Sequence, residues 1–212
     1  IINIMKKFFF CIVGYGNHAE TKIIPSLKKL KNVDICIVSR RLIEKNEHKI
    51  YKSVSSAIKN VVKGTTFIVC SPPDVHFIQS KKILKNGFDV FIEKPVTVKL
   101  NHLHNLIKIN GKNENFFAEN FMYKYSNLYD YFINHWKKDK LNIIKLSINF
   151  IIPKLPNNTF RQKKNNYSTN LYDIGCYPIS LVNELDDKAR FSLIKINNIK
   201  KINHEVFYIN SN

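Results

Sequence analysis

The stretch that decides the fold is residues 8–19, "FFFCIVGYGNHA". Six apolar residues without polar alternation read as a strand buried on both faces. They run directly into Gly14-Tyr15-Gly16-Asn17-His18-Ala19, a G-x-G-x-x-A arrangement. At a strand-to-helix junction the first glycine permits a tight turn and the second lets backbone approach a pyrophosphate. A small third residue lets helix and strand pack closely. The same letters could also end a strand in a simple turn, so the reading depends on the residues downstream.

Downstream, apolar runs alternate with helical periods. "VDICIV" (33–38), "TTFIVC" (65–70), "FDVFI" (88–92) and "NFFAE" (115–119) read as further strands. Between them, Ile23, Leu27 and Leu30 recur at helical spacing. So do Val54, Ala57, Ile58 and Val61, the segment 74–86 ending at Gly87, and Leu100, Leu103 and Ile107. Apolar strands alternating with helices predict an α/β fold over residues 5–120, a doubly wound parallel sheet of Rossmann type. Its ligand crevice lies at the strands' carboxyl ends. From residue 121 the rhythm changes. A helical segment (123–136), a long strand (143–152), a proline-bearing loop (153–170), a second helical segment (171–184) and strands at 191–197 and 203–210 follow. They predict a partial α+β substrate unit over 121–212 with a mixed or antiparallel sheet. The chain opens on Ile1 and closes at "VFYINSN" with few strands to complete a sheet, so a C-terminally truncated fragment is expected.

Composition narrows the function classes. The formal charge is +18, but of 34 basic residues only Arg40, Arg41, Arg161 and Arg190 are arginine. Phosphate and base recognition favours arginine forks that lysine cannot imitate. Lysines scattered among asparagine and isoleucine read as a solvated basic surface that attracts anionic small molecules, not as a specific nucleic-acid site. The four cysteines are far apart with no C-x-x-C, and read as small buried hydrophobes. The seven histidines show no metal-binding spacing, so no metal is expected. No run approaches the ~18 apolar residues of a membrane span, and the apolar stretch after Lys6-Lys7 has no cleavage site. A cytoplasmic protein without a membrane partner is expected.

Several short motifs could carry chemistry. Ser39, Arg40 and Arg41 follow the second strand, where NAD binders place an acidic residue for the ribose hydroxyls. A hydroxyl and two cations suit a 2′-phosphate instead, which favours NADP and leaves NAD possible. "CSPPDVH" (70–76) places Ser71, Pro72 and His76 at the end of the third strand, where a nicotinamide ribose would pass; His76 reads equally as helix N-terminal packing. "EKP" places Glu93 and Lys94 beside the same crevice. With Gly14, Tyr15, Gly16, Asn17 and His18 of the loop, these are the candidate dinucleotide contacts. In "LYDIGCYPI" (171–179), Asp173 and Tyr177 are four apart and share a helix face. A phenol titrates near about pH 10, and a neighbouring ammonium lowers that value. Lys94 brought beside Tyr177 would make a proton-transfer pair, with Asp173 holding a substrate hydroxyl.

"GYGNHA", "SPPDVH", "GFDVFIEKPVT" and "LYDIGCYPI", in this order and spacing, resemble the glucose–fructose oxidoreductase/inositol dehydrogenase/MocA (Gfo/Idh/MocA) family. The resemblance implies a nicotinamide cofactor on a Rossmann domain and a sugar, sugar nucleotide or related polyol bound against an α+β sheet domain. It implies Lys94 as the catalytic lysine, Asp173 as the substrate-site aspartate and Tyr177 as the acid/base. Two members of the family are similar in having tyrosine at that position and preferring NADP, which fits Ser39-Arg40. Where the family carries Arg-aromatic-x-Pro, this chain has Lys124-Tyr125-Ser126-Asn127, and "NNYSTN" (165–170) replaces a glycine-rich lead. The family's C-terminal sheet usually forms the oligomer interface, so a homo-oligomer is expected only where that sheet is complete. The alternative expectation is a truncated, non-catalytic NADP-binding protein.

Overall fold

Six strands, β1 (Phe8–Val13), β2 (Val33–Val38), β3 (Lys49–Tyr51), β4 (Thr66–Val69), β5 (Asp89–Glu93) and β6 (Phe117–Asn120), form one sheet. Their order is β3-β2-β1-β4-β5-β6 and every pairing is parallel. This is the doubly wound Rossmann order, whose switch point lies between β1 and β4. The computed structural model describes residues 7–41, 47–139, 148, 171–185, 191–199 and 204–211.

The sheet explains why its strands are apolar without alternation. Ile12, Ile37 and Ile68 point to one face, onto Ala19, Ile24 and Leu27. Cys11, Val13, Phe67, Val69, Val90 and Ile92 point to the other, onto Ala57, Ile83, Leu84 and Leu106. The first layer comes from a π-type turn (Ala19–Ile23) leading into α1 (Ile24–Leu27). The second comes from α2 (Val54–Asn60), α3 (Pro73–Lys85) and α4 (Leu100–Asn113). Fully burying each large aliphatic contributes about 1.5–3 kcal/mol, so both faces are needed to hold the sheet.

Three local readings change. The edge strand β3 has only three residues in a polar context, too short to show a period; it exists because Tyr51 is buried and the Tyr51 carbonyl accepts the Ser39 N–H. The first helix stops at Leu27, and Leu30, half exposed, lies past its end in a hydrogen-bonded turn. In α4 the buried side is Leu106 with Leu103 and Ile109, while Leu100 and Ile107 face outward. Period alone gives a helix, but the partner helix α3 selects the face. Cysteines far apart in sequence also meet: Cys11 and Cys36 are register partners across β1 and β2.

The chain divides into two units, Ile1–Asn120 and Phe121–Asn212. In the second, a 3-10 turn (Met122–Tyr125) precedes α5 (Asn127–Asp139), and a π-type turn (Leu171–Gly175) precedes α6 (Cys176–Leu185). The Tyr123 hydroxyl donates to Ser180 Oγ, Lys124 pairs with Glu184 at 2.7 Å, and Trp136 Nε1 donates to the Leu185 carbonyl. Strands β7 (Phe191–Ile199) and β8 (His204–Ser211) pair antiparallel. The strand expected at 143–152 and the loop at 153–170 lie outside the described residues. Among those described, no helix is long and apolar enough to cross a membrane.

Candidate active site

The loop after β1 is shaped by two glycines with different surroundings. Gly14 has φ +93°, and a Cβ there would lie 2.7 Å from Ser71 N and 2.8 Å from Ser71 Cα. The β1 loop therefore presses on the β4–α3 loop, at the switch point, with no room for a side chain. A Cβ at Gly16 would meet nothing within 4 Å. The Glu20 N–H bonds the Gly16 carbonyl, so the N–H groups just before it face the loop as the open start of a helix. Ala19, 1% exposed, lets this helix settle on Ile12 and Ile37. Open space over a glycine beside a helix start is the arrangement a pyrophosphate requires.

Tyr15 and His18 are half-buried and Asn17 is exposed. His18 Nε2 is 3.1 Å from Glu93 Oε1, and Asn120 Nδ2 donates to the same oxygen at 2.6 Å. Three carboxyl-edge positions, one in the loop after β1 and the others the last residues of β5 and β6, are thus tied by one carboxylate whose side chain is 12% exposed. Arg40 and Arg41 are exposed after β2. Ser39 is buried, and its Oγ accepts the Arg41 N–H at 3.1 Å. The serine hydroxyl is therefore engaged in shaping the turn, and the two guanidinium groups are the outward cations.

Ser71 Oγ donates to Gln79 Oε1, and Pro72 is exposed. His76 is 1% exposed, with Nδ1 2.9 Å from the Pro95 carbonyl and Nε2 2.6 Å from the Ser71 carbonyl. It joins the chain segments leaving β4 and β5. Lys94 is half-buried directly after β5. Burial, then the Glu93 charge, push the Cys70 thiol far above its ordinary value, which removes a thiolate nucleophile at neutral pH. In the second unit, Asp173 lies in the π-type turn and Tyr177 follows in α6, both half-buried. The Tyr177 ring stands edge-on to Phe121 at 5.7 Å and Tyr123 at 5.9 Å. Lys124 is engaged with Glu184.

Sequence reading missed Gln79, Glu119 and Asn120. A strand assigned to 115–119 stops one residue short of Asn120, and nothing local marks a glutamate that bonds a backbone N–H 23 residues away.

The buried imidazole gives a testable pH dependence. Burial pushes His76 below its ordinary value, against the two carbonyls, Glu93 and Asp74, which all favour the cation. The unfolded chain then binds the proton first as pH falls, so stability declines on acidification from the ordinary imidazole range downward. Denaturant midpoints taken between about pH 7 and 5 are expected to fall more steeply for the wild type than for His76→Gln. Parallel slopes would remove the assignment.

The comparisons with known proteins agree with this geometry. Residues 8–121 match the model of an oxidoreductase family with an NAD-binding Rossmann fold. An oxidoreductase of Formosa agariphila is 30% identical over 104 residues, 45% of this chain and 32% of that protein. A 3-ketoreductase of Actinomadura kijaniata, solved with NADP and TDP-benzene, is similar with a TM-score of 0.74 at 20% identity. That match covers 88% of this chain and 60% of the ketoreductase. The myo-inositol 2-dehydrogenase of Lactobacillus plantarum is similar with a TM-score of 0.71 at 15% identity, over 92% of this chain and 61% of that one. The chain thus spans about a third of the curated relative and about three-fifths of these structural neighbours. With more than half of its length matched, the Rossmann strand order in place and the glycine loop at the switch point, the chain belongs to the Gfo/Idh/MocA family of oxidoreductases.

Proposed function

We infer that the chain carries the cofactor-binding part of an oxidoreductase that moves a hydride between NADP, in preference to NAD, and a sugar, sugar nucleotide or related polyol. The observation that carries the reading is the loop between β1 and α1. Gly14 abuts Ser71 at the switch point while Gly16 is left open, a crevice fitted to a dinucleotide. When bound, the nicotinamide supplies or accepts the hydride. Gly16 and the helix start receive the pyrophosphate, and Arg40 and Arg41 receive a 2′-phosphate. The Lys94 ammonium and the Tyr177 hydroxyl exchange the substrate hydroxyl proton, and the Asp173 carboxylate holds a second hydroxyl. The NADP bound to the 3-ketoreductase is in line with this reading. The same reading places the protein in the cytoplasm, with its oligomer formed through a complete C-terminal sheet.

Cofactor choice is tested by titration. The wild type is expected to bind NADPH more tightly than NADH. Replacing Arg40 and Arg41 together by alanine should weaken NADPH by about tenfold or more while leaving NADH within about twofold. Equal affinities in the wild type would defeat the 2′-phosphate assignment. Turnover is tested by following NADPH oxidation against a panel of keto-sugars and keto-sugar nucleotides. Tight NADPH binding with no oxidation by any of them would favour the non-catalytic reading.

A further inference from the structure

The segment that leaves β5 is held at three successive points around Lys94. Before it, Glu93 Oε1 accepts Asn120 Nδ2 at 2.6 Å. After it, the Pro95 carbonyl lies 2.9 Å from His76 Nδ1, and the Val96 N–H donates to Glu119 Oε1 at 2.8 Å. Pro95 and Val96 are buried, so these polar groups have lost water and depend on their protein partners. The partners come from different elements: His76 from α3, Glu119 and Asn120 from the last strand of the sheet. The second nitrogen of His76 lies 2.6 Å from the Ser71 carbonyl, and the neutral ring donates to one of the two carbonyls while packing against the other. A lysine side chain has four rotatable bonds, and its ammonium can be aimed only if the backbone beneath it is fixed.

We propose that Glu119 and His76 are positioning residues for Lys94, because Glu119 accepts the N–H and the His76 imidazole lies against the carbonyl of the Pro95–Val96 peptide group, and clamping that group from both sides fixes the direction in which the Lys94 side chain leaves the sheet. The proposal rests on the catalytic role assigned to Lys94 above. It adds that this role depends on a carboxylate and a buried imidazole that act through the backbone beside Lys94. For Glu119 the required property is an acceptor oxygen, not charge. Glutamine retains that oxygen and alanine does not.

The test has two readouts. Lysines of the full chain are reductively methylated with ¹³C-formaldehyde, and the Lys94 resonance is identified by its loss in Lys94→Arg. In wild type and Glu119→Gln a single Lys94 resonance is expected at the same position and with the same pH titration. In Glu119→Ala and His76→Ala it should shift or split, and its titration should move. A Lys94 resonance and titration unchanged in both alanine variants would overturn the proposal, whatever the activity. The second readout is turnover. Glu119→Ala should lower kcat by up to about a hundredfold, with KM for NADPH within about twofold, and Glu119→Gln should restore it. In a Lys94→Ala background, Glu119→Ala should cost nothing further, whereas a general loss of folding would still lower the residual rate. If the wild type turns over no substrate while the Lys94 resonance responds as expected, the oxidoreductase reading fails and the positioning role stands. If one alanine variant does not fold, the other with Glu119→Gln gives the same decision.

Discussion

Gly14→Ala is expected to destabilise the first unit by about 3 kcal/mol and to abolish dinucleotide binding at ordinary cofactor concentrations. Two effects add. At φ +93° an L side chain is strained whatever the space, and the new Cβ would also press on backbone atoms of Ser71 at 2.7 and 2.8 Å. A backbone cannot rotate away as a flexible side chain can, so either the β1 loop or the β4–α3 loop must move. Movement of either opens the switch point. Against a typical stability of about 5–15 kcal/mol this loss is large, and it should lower the thermal midpoint by on the order of 10 °C. Gly16→Ala is the contrasting variant. Its Cβ meets nothing, so its midpoint should stay near wild type while NADPH affinity falls, because the methyl occupies the approach to the pyrophosphate. A Gly14→Ala protein that melts with wild type, or a Gly16→Ala protein that loses stability and keeps its affinity, contradicts the separation of roles.

The second large effect concerns proton transfer. Lys94→Ala and Tyr177→Phe should each reduce kcat by about a hundredfold to ten-thousandfold while leaving NADPH affinity within a few-fold. The proposed function has lysine and tyrosine working on one proton; on that reading they act as a unit, and the double variant should be little slower than the slower single one. Multiplying losses would mean that the two side chains serve separate steps. Turnover undiminished in both single variants, with a substrate in hand, would remove them from the mechanism. Asp173→Asn should act mainly on KM for the polyol, since an amide keeps the hydrogen-bond geometry but loses the charge assistance.

The architecture was largely legible because it rests on local signals. The continuous apolar run at 8–13 and the largely apolar run at 33–38 read as strands covered on both faces, and "GYGNHA" marks the junction after the first. The parts that were not legible depend on partners distant in sequence. "KIY" at 49–51 is a strand only because β2 offers it an edge. Leu100 and Ile107 share a helical period with Leu103, yet they point outward because α3 packs on Leu106. The residues around the candidate site divide in the same way. Gly14, Glu93 and Lys94 announce themselves by motif. Glu119 and Asn120 do not, since a polar side chain that bonds across 23 or 27 residues leaves no pattern in its own neighbourhood, and Gln79 sits on a helix where nothing marks its bond to Ser71. His76 shows the limit in the other direction: its motif is plain, but only burial and its two carbonyl neighbours identify it as a brace between β4 and β5.

The pairing of β1 with β4 joins Val13 to Val69, so the dinucleotide crevice does not exist until a loop of more than fifty residues has closed. Contacts of that sequence separation form slowly and cannot persist in an unfolded chain. A nucleotide that needs both loops therefore has no partial site to occupy, and it meets only molecules whose sheet is complete. By mass action, cofactor at a hundred times its dissociation constant would then add about 2.7 kcal/mol to the apparent stability of the whole unit. Ligand occupancy in such a fold acts as a reserve against unfolding, so a cell starved of the cofactor would lose folded protein along with activity.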